Sequence, residues 1–554
     1  KPAVAPLPPA PAASPEDRVR SYHERSSHRS TRFANALGYL DWDSQPDPFR
    51  RWAGAPLSAL DLCPPTDEPL YEPAWVHGRL PPRPLDRASI SQLFMDALAI
   101  SAWKSAGGNT WALRVDPSSG NLHPTEGYLI APAVPGLSEG PAVWHYSPQA
   151  HALERRAELS EAEWATLSQG LPPGLVLVGL SSAWWRESWK YGERAFRYCQ
   201  HDLGHCIGTV AVSAAGLGWR ATLLEGLGDA ELRVLLGLHR WPEGWPLEEQ
   251  EQPEALLAIS VEECRGWRAP AELMEALRPA GRWGGTPNRL SAEHHPWPII
   301  QEVHAATSRD GPAPEALYDA HVVDSGLEIG EAPLALRRLI HQRRSAVAMD
   351  SRTGIRRAAF VQILRKLLPG RDQVPWTTLP WRPRVHPVFF VHRVEGLNPG
   401  LYLLARDGRP EALRASMDPG FSFTEVEPGL PLVLLREGDV RGVARGLACG
   451  QEIAGDGVFA VAMLAEMGGS LEDWGAWAWK RLHWEAGLLG QVLYLEAEAT
   501  GVRATGIGCF FDEATHQLLL NPKAGLVDLY HFTVGGPVED ERIQTLPPYG
   551  DREG

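Results

Sequence analysis

GHCIGTVAVSAAGLGWRAT, residues 204–222, and GLLGQVLYLEAEATGVRAT, residues 487–505, begin alike, end alike and stand 283 positions apart throughout. Each opens on glycine, carries small and apolar residues at helical spacing, reaches a glycine at Gly218 or Gly501, and finishes in Arg-Ala-Thr. Such a stretch reads as a core helix whose small positions admit a close helix neighbour. The late glycine then ends it and leads into a strand. The flanks agree: an aromatic and basic segment precedes each, WWRESWKYGERAFRYCQHD and DWGAWAWKRLHWEAG, and a short apolar, glycine-rich segment follows. A repeat at one fixed offset predicts two related units of roughly 200 residues each. We place them at 85–255 and 330–545, with a leading segment 1–84 and a connecting region 256–329 that contains GRWGGTPNRLSAEHHPWP.

Around those helices, short apolar runs bounded by glycine, proline or charge predict strands at Gly174–Leu180, Pro387–Val391, Leu401–Leu404 and Pro431–Leu435. The string HPVFFVHRVEGLNPGLYLL is expected to pair strands and close a sheet. Helices are predicted at Ser91–Lys104, Ala332–Gln342 and Ala359–Leu368. Long helices alternating with short strands indicate an α+β or three-layer fold.

Composition narrows the function. The 554 residues carry 53 basic against 68 acidic side chains, a formal charge of -15 that gives no support to a nucleic-acid surface. Six scattered cysteines without a CxxC do not make a disulfide framework, and Cys199 and Cys206, seven apart and so on one helix face, read as buried filler. KPAVAPLPPAPAASPE lacks the continuous apolar core of a secretion signal and reads as an extended tail. The later apolar runs are too short and too interrupted for a bilayer span, so no membrane partner is expected and the cytoplasm is the expected location. The 22 tryptophans, clustered at Trp184, Trp185 and Trp189 and at Trp474, Trp477, Trp479 and Trp484, either line a pocket for a planar ligand or fill core and interface. The segments YHERSSHRSTRFA and LDWDSQPDPFR read as polar chain with aromatic anchors, wrapping the fold or covering a pocket.

Two stretches look like halves of one ligand site. RVDPSSGNLHPTEGYLI, residues 114–130, holds more turn-formers and small donors than a surface turn needs. In LRRLIHQRRSAVAMD, residues 336–350, a helix pattern ends in Arg343, Arg344 and Ser345, two guanidinium groups and a hydroxyl suited to an oxyanion such as phosphate. Arginines at a helix end also simply favour the dipole. Neither stretch has a counterpart in the other unit, as a single site between unequal halves requires. Glu126, on the apolar side of the first stretch, would bind an arginine or a ligand hydroxyl, or sit in a structural salt bridge, which is the favoured reading. His201 and His205 are spaced i,i+4, but HDLGH lacks the glutamate of the zinc hydrolase pattern and no metal site is expected.

PSSGNLHPTE, the Arg-Arg-Ser stretch and GIGCF (506–510) together resemble the flavin-dependent nitroreductase-like family, most closely its branch of dehydrogenases that oxidise azoline rings in peptides, in the double-domain form. That resemblance implies a tandem fold of central mixed β-sheets wrapped by helices, the two copies forming an intramolecular pseudo-dimer, with one FMN per chain. It assigns the flavin's phosphate and ribitol to Arg343, Arg344 and Ser345. The ring would fall to Pro117, Ser118, Ser119, Gly120 and Asn121, with backbone donors from Gly506, Ile507 and Gly508. The pair Lys190-Tyr191 matches a Lys-Tyr pair used for proton removal in the azoline-oxidising branch. The family often has a basic residue where Val347 stands, and Arg352 is a candidate to replace it. The implied activity is hydride transfer between flavin and a small cyclic or peptide substrate, either azoline-type dehydrogenation or nitro and quinone reduction, with NAD(P)H as a candidate electron donor. A non-catalytic binding or scaffold protein of a peptide-modifying system and a flavin-fragmenting enzyme are the alternatives. No GxGxxG follows a predicted strand, so no separate nicotinamide domain is inferred.

Overall fold

A computed structural model describes residues 13–318 and 322–550. Most of the proline-rich opening tail lies outside them. Two helices of 22 residues, Ala195–Gly216 and Ala478–Ala499, lie back to back at the centre and keep the 283-residue offset at both ends. Gly218 and Gly501 follow with φ of +72° and +78°, the left-handed residue that closes each helix. The helices cross where Gly204 meets Gly487. A Cβ on Gly204 would lie 2.3 Å from the Trp484 carbonyl oxygen, and one on Gly487 would lie 2.2 Å from that of His201. The small residues of the repeated stretch are thus the condition for backbone-to-backbone contact.

Each long helix packs on one seven-stranded sheet. The first sheet orders its strands Leu57–Ala59, Ala152–Glu158, Ala142–Ser147, Thr125–Ala131, Val176–Ser182, Gln252–Ser260 and Arg220–Leu223. In the second the order is Thr424–Glu425, Leu432–Glu437, Gly400–Leu404, Val385–Val391, Phe459–Ala465, Val527–Gly535 and Arg503–Ile507. Side chains alternate between faces as a pleat demands. Leu129, Phe389 and Val391 enter one core shared with both helices, whereas Tyr128 and Ile130, or Val388 and Phe390, enter separate outer cores. Polar ties cross the central layer: Trp484 Nε1 donates to Gln200 Oε1 at 2.7 Å, and Gln200 Nε2 and Lys480 Nζ both reach Glu254, at 2.9 and 2.7 Å.

Several expectations need correction. Every neighbouring pair in the two large sheets is antiparallel, so neither is mixed. Val385–Val391 sits at the middle of its sheet rather than closing it. The helix expected at Ser91–Lys104 stops at Met95, and Ile100–Ala106 forms a hairpin with Asn109–Arg114. Gly107 and Gly108, with φ of +57° and +83°, supply the two left-handed residues of a two-residue turn. Gln544–Leu546 adds a third strand to that hairpin. The limit placed at residue 255 falls inside the strand Gln252–Ser260, and the first sheet also recruits Leu57–Ala59. The leading segment wraps the molecule: Val19 and Tyr22 of helix Pro15–Arg25 enter the shared core, Tyr22 packing on Phe196 and Trp479. Among the described residues, no helix is long and apolar enough to cross a membrane.

Candidate functional site

A cleft of about 820 Å³ opens between the halves, and both predicted stretches line it. Pro117, Ser118, Ser119, Gly120 and Asn121 form one wall; Arg343, Arg344 and Ser345 form another; Gly506, Ile507 and Gly508 form a third. Tyr191 faces the same space, but Lys190 does not line it; its Nζ lies 5.3 Å from the centre of the Tyr191 ring. Lys190 thus reaches the cleft-facing Tyr191 ring without itself lining the cleft.

The serine loop rides on the first long helix. Ser118 Oγ donates to Asp202 Oδ2 at 2.8 Å, the Ser119 N–H donates to Asp202 Oδ1 at 3.1 Å, and the Pro117 carbonyl meets His205 Nδ1 at 3.0 Å. With its proton on Nδ1, His205 accepts at Nε2 from the Tyr530 hydroxyl, 3.3 Å away. Gly120 carries φ of +63°, and a Cβ there would meet the Tyr191 hydroxyl at 2.5 Å. Only glycine fits between that backbone and that ring. Asn121 Nδ2 ties the loop to the Ala112 carbonyl at 2.8 Å.

The arginine wall is fixed from the front half. Asp96 accepts from Arg337 Nε at 3.0 Å and meets His341 Nε2 at 2.8 Å, anchoring the helix Leu336–Gln342 whose end delivers Arg343. Arg343 is buried, its Nη2 donating to the Arg114 carbonyl at 3.0 Å while its Nε has no partner. Arg344 donates to the carbonyls of His341 and Arg343, at 2.8 and 2.7 Å. Among the described residues neither guanidinium forms an ion pair with a carboxylate. Burial lowers both from the usual arginine range, Arg344 to about 10 with the Arg343 charge adding to the effect. Lys104 is lowered as well, by burial and then by Arg344. Ser345 Oγ meets the Tyr494 hydroxyl at 2.9 Å, and the Gly506 N–H donates to that same hydroxyl at 3.1 Å. That N–H is therefore already engaged. A Cβ on Gly506 would strike the Tyr530 hydroxyl at 2.2 Å, and one on Gly508 would strike the Tyr198 ring at 2.6 Å.

Sequence reasoning missed Lys104, Trp111, Asp116, Tyr198, His205, Tyr494, Arg503 and Tyr530, all at the cleft wall. Asp116 is buried with Oδ1 unpaired, and burial pushes its carboxyl up to about 7. Arg503 and Lys104 are the further cations of the wall, whereas Arg352 lies elsewhere and Val347 lines the cleft uncharged. Both tryptophan clusters belong to the cores, not the cleft. Glu126 is structural, held by Arg186 at 2.5 Å and His145 at 2.8 Å. His201 stacks on Tyr530, with ring centroids 4.1 Å apart.

No family model matches the chain. A candidate nitroreductase from the archaeon Methanocaldococcus jannaschii is 30% identical over 132 residues, covering 23% of this chain. The match spans 65% of that relative's length. Among solved structures, a candidate nitroreductase from Anabaena variabilis superposes with a TM-score of 0.66 at 21% identity, covering 94% of this chain and 99% of its own. The fold is an α+β, nitroreductase-like one over most of the chain.

Proposed function

We propose that this chain is an FMN-dependent oxidoreductase that moves a hydride between bound flavin and a small cyclic or peptide substrate. The observation that carries this reading is the pair of arginines, Arg343 and Arg344, on a cleft wall without an ion-paired carboxylate among the described residues, beside Lys104 and an Arg503 that is paired with Glu539 and Glu498. Like charges crowded at a partly dry wall are stabilised by an anion, and a phosphate supplies one. The fit extends further. Arg343 Nε is a buried donor without a partner, Ser345 offers a hydroxyl, and small residues 117–121 and 506–508 let backbone approach a flat ring.

Flavin, when bound, supplies the two-electron hydride chemistry. The chain's part is to hold and tune. In this reading Arg343, Arg344 and Ser345 hold the phosphate end, with Lys104 and Arg503 adding charge. The Ser118–Asn121 and Gly506–Gly508 walls bracket the ring. Tyr191 is held protonated by burial, so it acts as a hydrogen-bond donor, not a base. Asp116, poised near neutrality, is a wall group able to take or return a proton. Azoline-type dehydrogenation and nitro or quinone reduction both fit a cleft of this volume, with nicotinamide or the substrate itself as electron source.

The test is direct. Purified protein should show flavin absorbance and release FMN on denaturation at about one per chain. A colourless protein that takes up no added FMN rejects the reading, and a ratio of two rejects the single site.

A further inference from the structure

Cys509 lies immediately after the Gly506–Gly508 wall and itself lines the cleft. Its Sγ stands 2.8 Å from Sγ of Cys449. Cys449 comes from the turn that follows helix Arg441–Leu447 and holds a left-handed φ of 53°. One backbone bond and one side-chain bond clamp the two segments on both sides of the sulfurs. The Phe511 N–H donates to the Leu447 carbonyl at 2.8 Å, and Gln451 Nε2 donates to the Cys509 carbonyl at 3.1 Å. The thiols are thus held together by the surrounding chain.

The remaining cysteines are placed differently. Cys206 Sγ donates to Asp116 Oδ2 at 3.4 Å, Cys264 Sγ meets Ser260 Oγ at 3.3 Å, and Cys63 Sγ donates to the Asp61 carbonyl at 3.4 Å. Cys199 is fully buried in the first long helix. Only half-buried Cys509 faces the large cleft. Its surroundings favour the thiolate: the contact with Cys449, then His28 and the Arg194 charge, bring it down to about 5. The same contact, with burial, pushes Cys449 up. One sulfur is set to attack and the other holds the proton.

We propose that Cys509 and Cys449 form a redox-active dithiol in the cleft wall whose substrate is a low-molecular-weight disulfide. The Cys509 thiolate attacks one sulfur of that disulfide and expels the other as a thiolate. Cys449 then gives up its proton and attacks the Cys509 sulfur, expelling the second thiolate. Two electrons pass from the protein sulfurs to the external disulfide, which leaves as one thiol and one thiolate, the proton being that of Cys449. The pair stands independently of the flavin reading, because its partners are all groups of the chain.

Oxidised glutathione is the probe, with full-length wild-type protein incubated with it, alkylated with iodoacetamide and mapped by mass spectrometry without reduction. The expected product is one cross-linked peptide pair joining Cys449 to Cys509, with Cys63 alkylated, and dithiothreitol should restore both thiols. In Cys449→Ser the reaction should stop at a glutathione adduct on Cys509. In Cys509→Ser, Cys449 should stay unmodified. At pH 6 iodoacetamide should label Cys509 in reduced protein more than about tenfold faster than Cys63. Free Cys449 and Cys509 after oxidation of the wild type overturn the proposal, as does a Cys449→Ser protein that collects no adduct. Protein freed of any cofactor must give the same map, so failure of the flavin reading leaves this result untouched.

Discussion

Alanine at position 204 would place a methyl carbon 2.3 Å from the Trp484 carbonyl oxygen and 2.8 Å from the Gly487 Cα. Both obstacles are backbone of the opposite helix, so no side chain can swing aside. Restoring an ordinary contact requires the helices to part by about 1 Å at their crossing, in a core packed like a crystal. Overpacking of this kind costs about 1–3 kcal/mol, and alanine returns up to about 1 kcal/mol through its better helix propensity. Gly204→Ala should therefore lose up to about 2 kcal/mol in urea unfolding followed by far-UV circular dichroism. The same helix carries Asp202 and His205, which hold the Ser118–Asn121 loop, so flavin retention should drop with it. Gly487→Ala, 2.2 Å from the His201 carbonyl, should behave alike. The double variant should lose less than the sum, because helices already parted accommodate the second methyl. The sign is the decisive result. If the crossing did not constrain the backbone, alanine would raise stability by its propensity alone, and a more stable Gly204→Ala protein would refute the argument.

Arg343→Ala removes a buried donor set facing the cleft, and loss of charge-assisted bonds worth about 1.5–3 kcal/mol should weaken FMN binding roughly 10- to 100-fold in a fluorescence titration. Asp116 has a folded-state pKa raised from 3.8 to about 7, so the folded protein holds that proton more tightly and stability falls as pH rises through that window. Asp116→Asn should then be more stable than wild type at pH 8, by up to about 4 kcal/mol, with the gap closing toward pH 4; thermal melts at the two pH values check both size and direction. Lys190→Ala should leave turnover within a factor of a few while Tyr191→Phe, altered at the cleft wall, should lower it; steady-state assays showing the reverse would return the proton-transfer role to Lys190.

How much was legible depended on where each constraint lives in the chain. A close helix crossing writes itself into sequence as small residues at helical spacing, so Gly204 and Gly487 could be matched from the letters alone. The serine loop announced itself by an excess of turn-formers, and Arg343-Arg344-Ser345 by two adjacent charges ending an apolar helix. The hairpin Ile100–Arg114 stayed hidden because its apolar residues also suit a helix, and its third strand, Gln544–Leu546, lies near the other end of the chain. The signal overlooked was Gly107-Gly108, a turn that no continuous helix tolerates well. Tyr198, Tyr494 and Tyr530 stand on separate elements and converge only in three dimensions. Lys190 marks the limit of such matching: a pair of letters does not say which of the two side chains lines the cleft, and here Tyr191 does.

The cleft draws its walls from residues near 118, 343 and 507 of one polypeptide. Where separate subunits build such a seam, its occupancy falls with dilution. Here a peptide backbone tethers the contributing halves, so the local concentration of one for the other stays constant however scarce the molecule becomes. Ligand uptake should accordingly follow a simple one-site isotherm down to nanomolar protein. Halves joined in one chain also escape the rule that a substitution appears twice in a homodimer, leaving each half free to specialise alone.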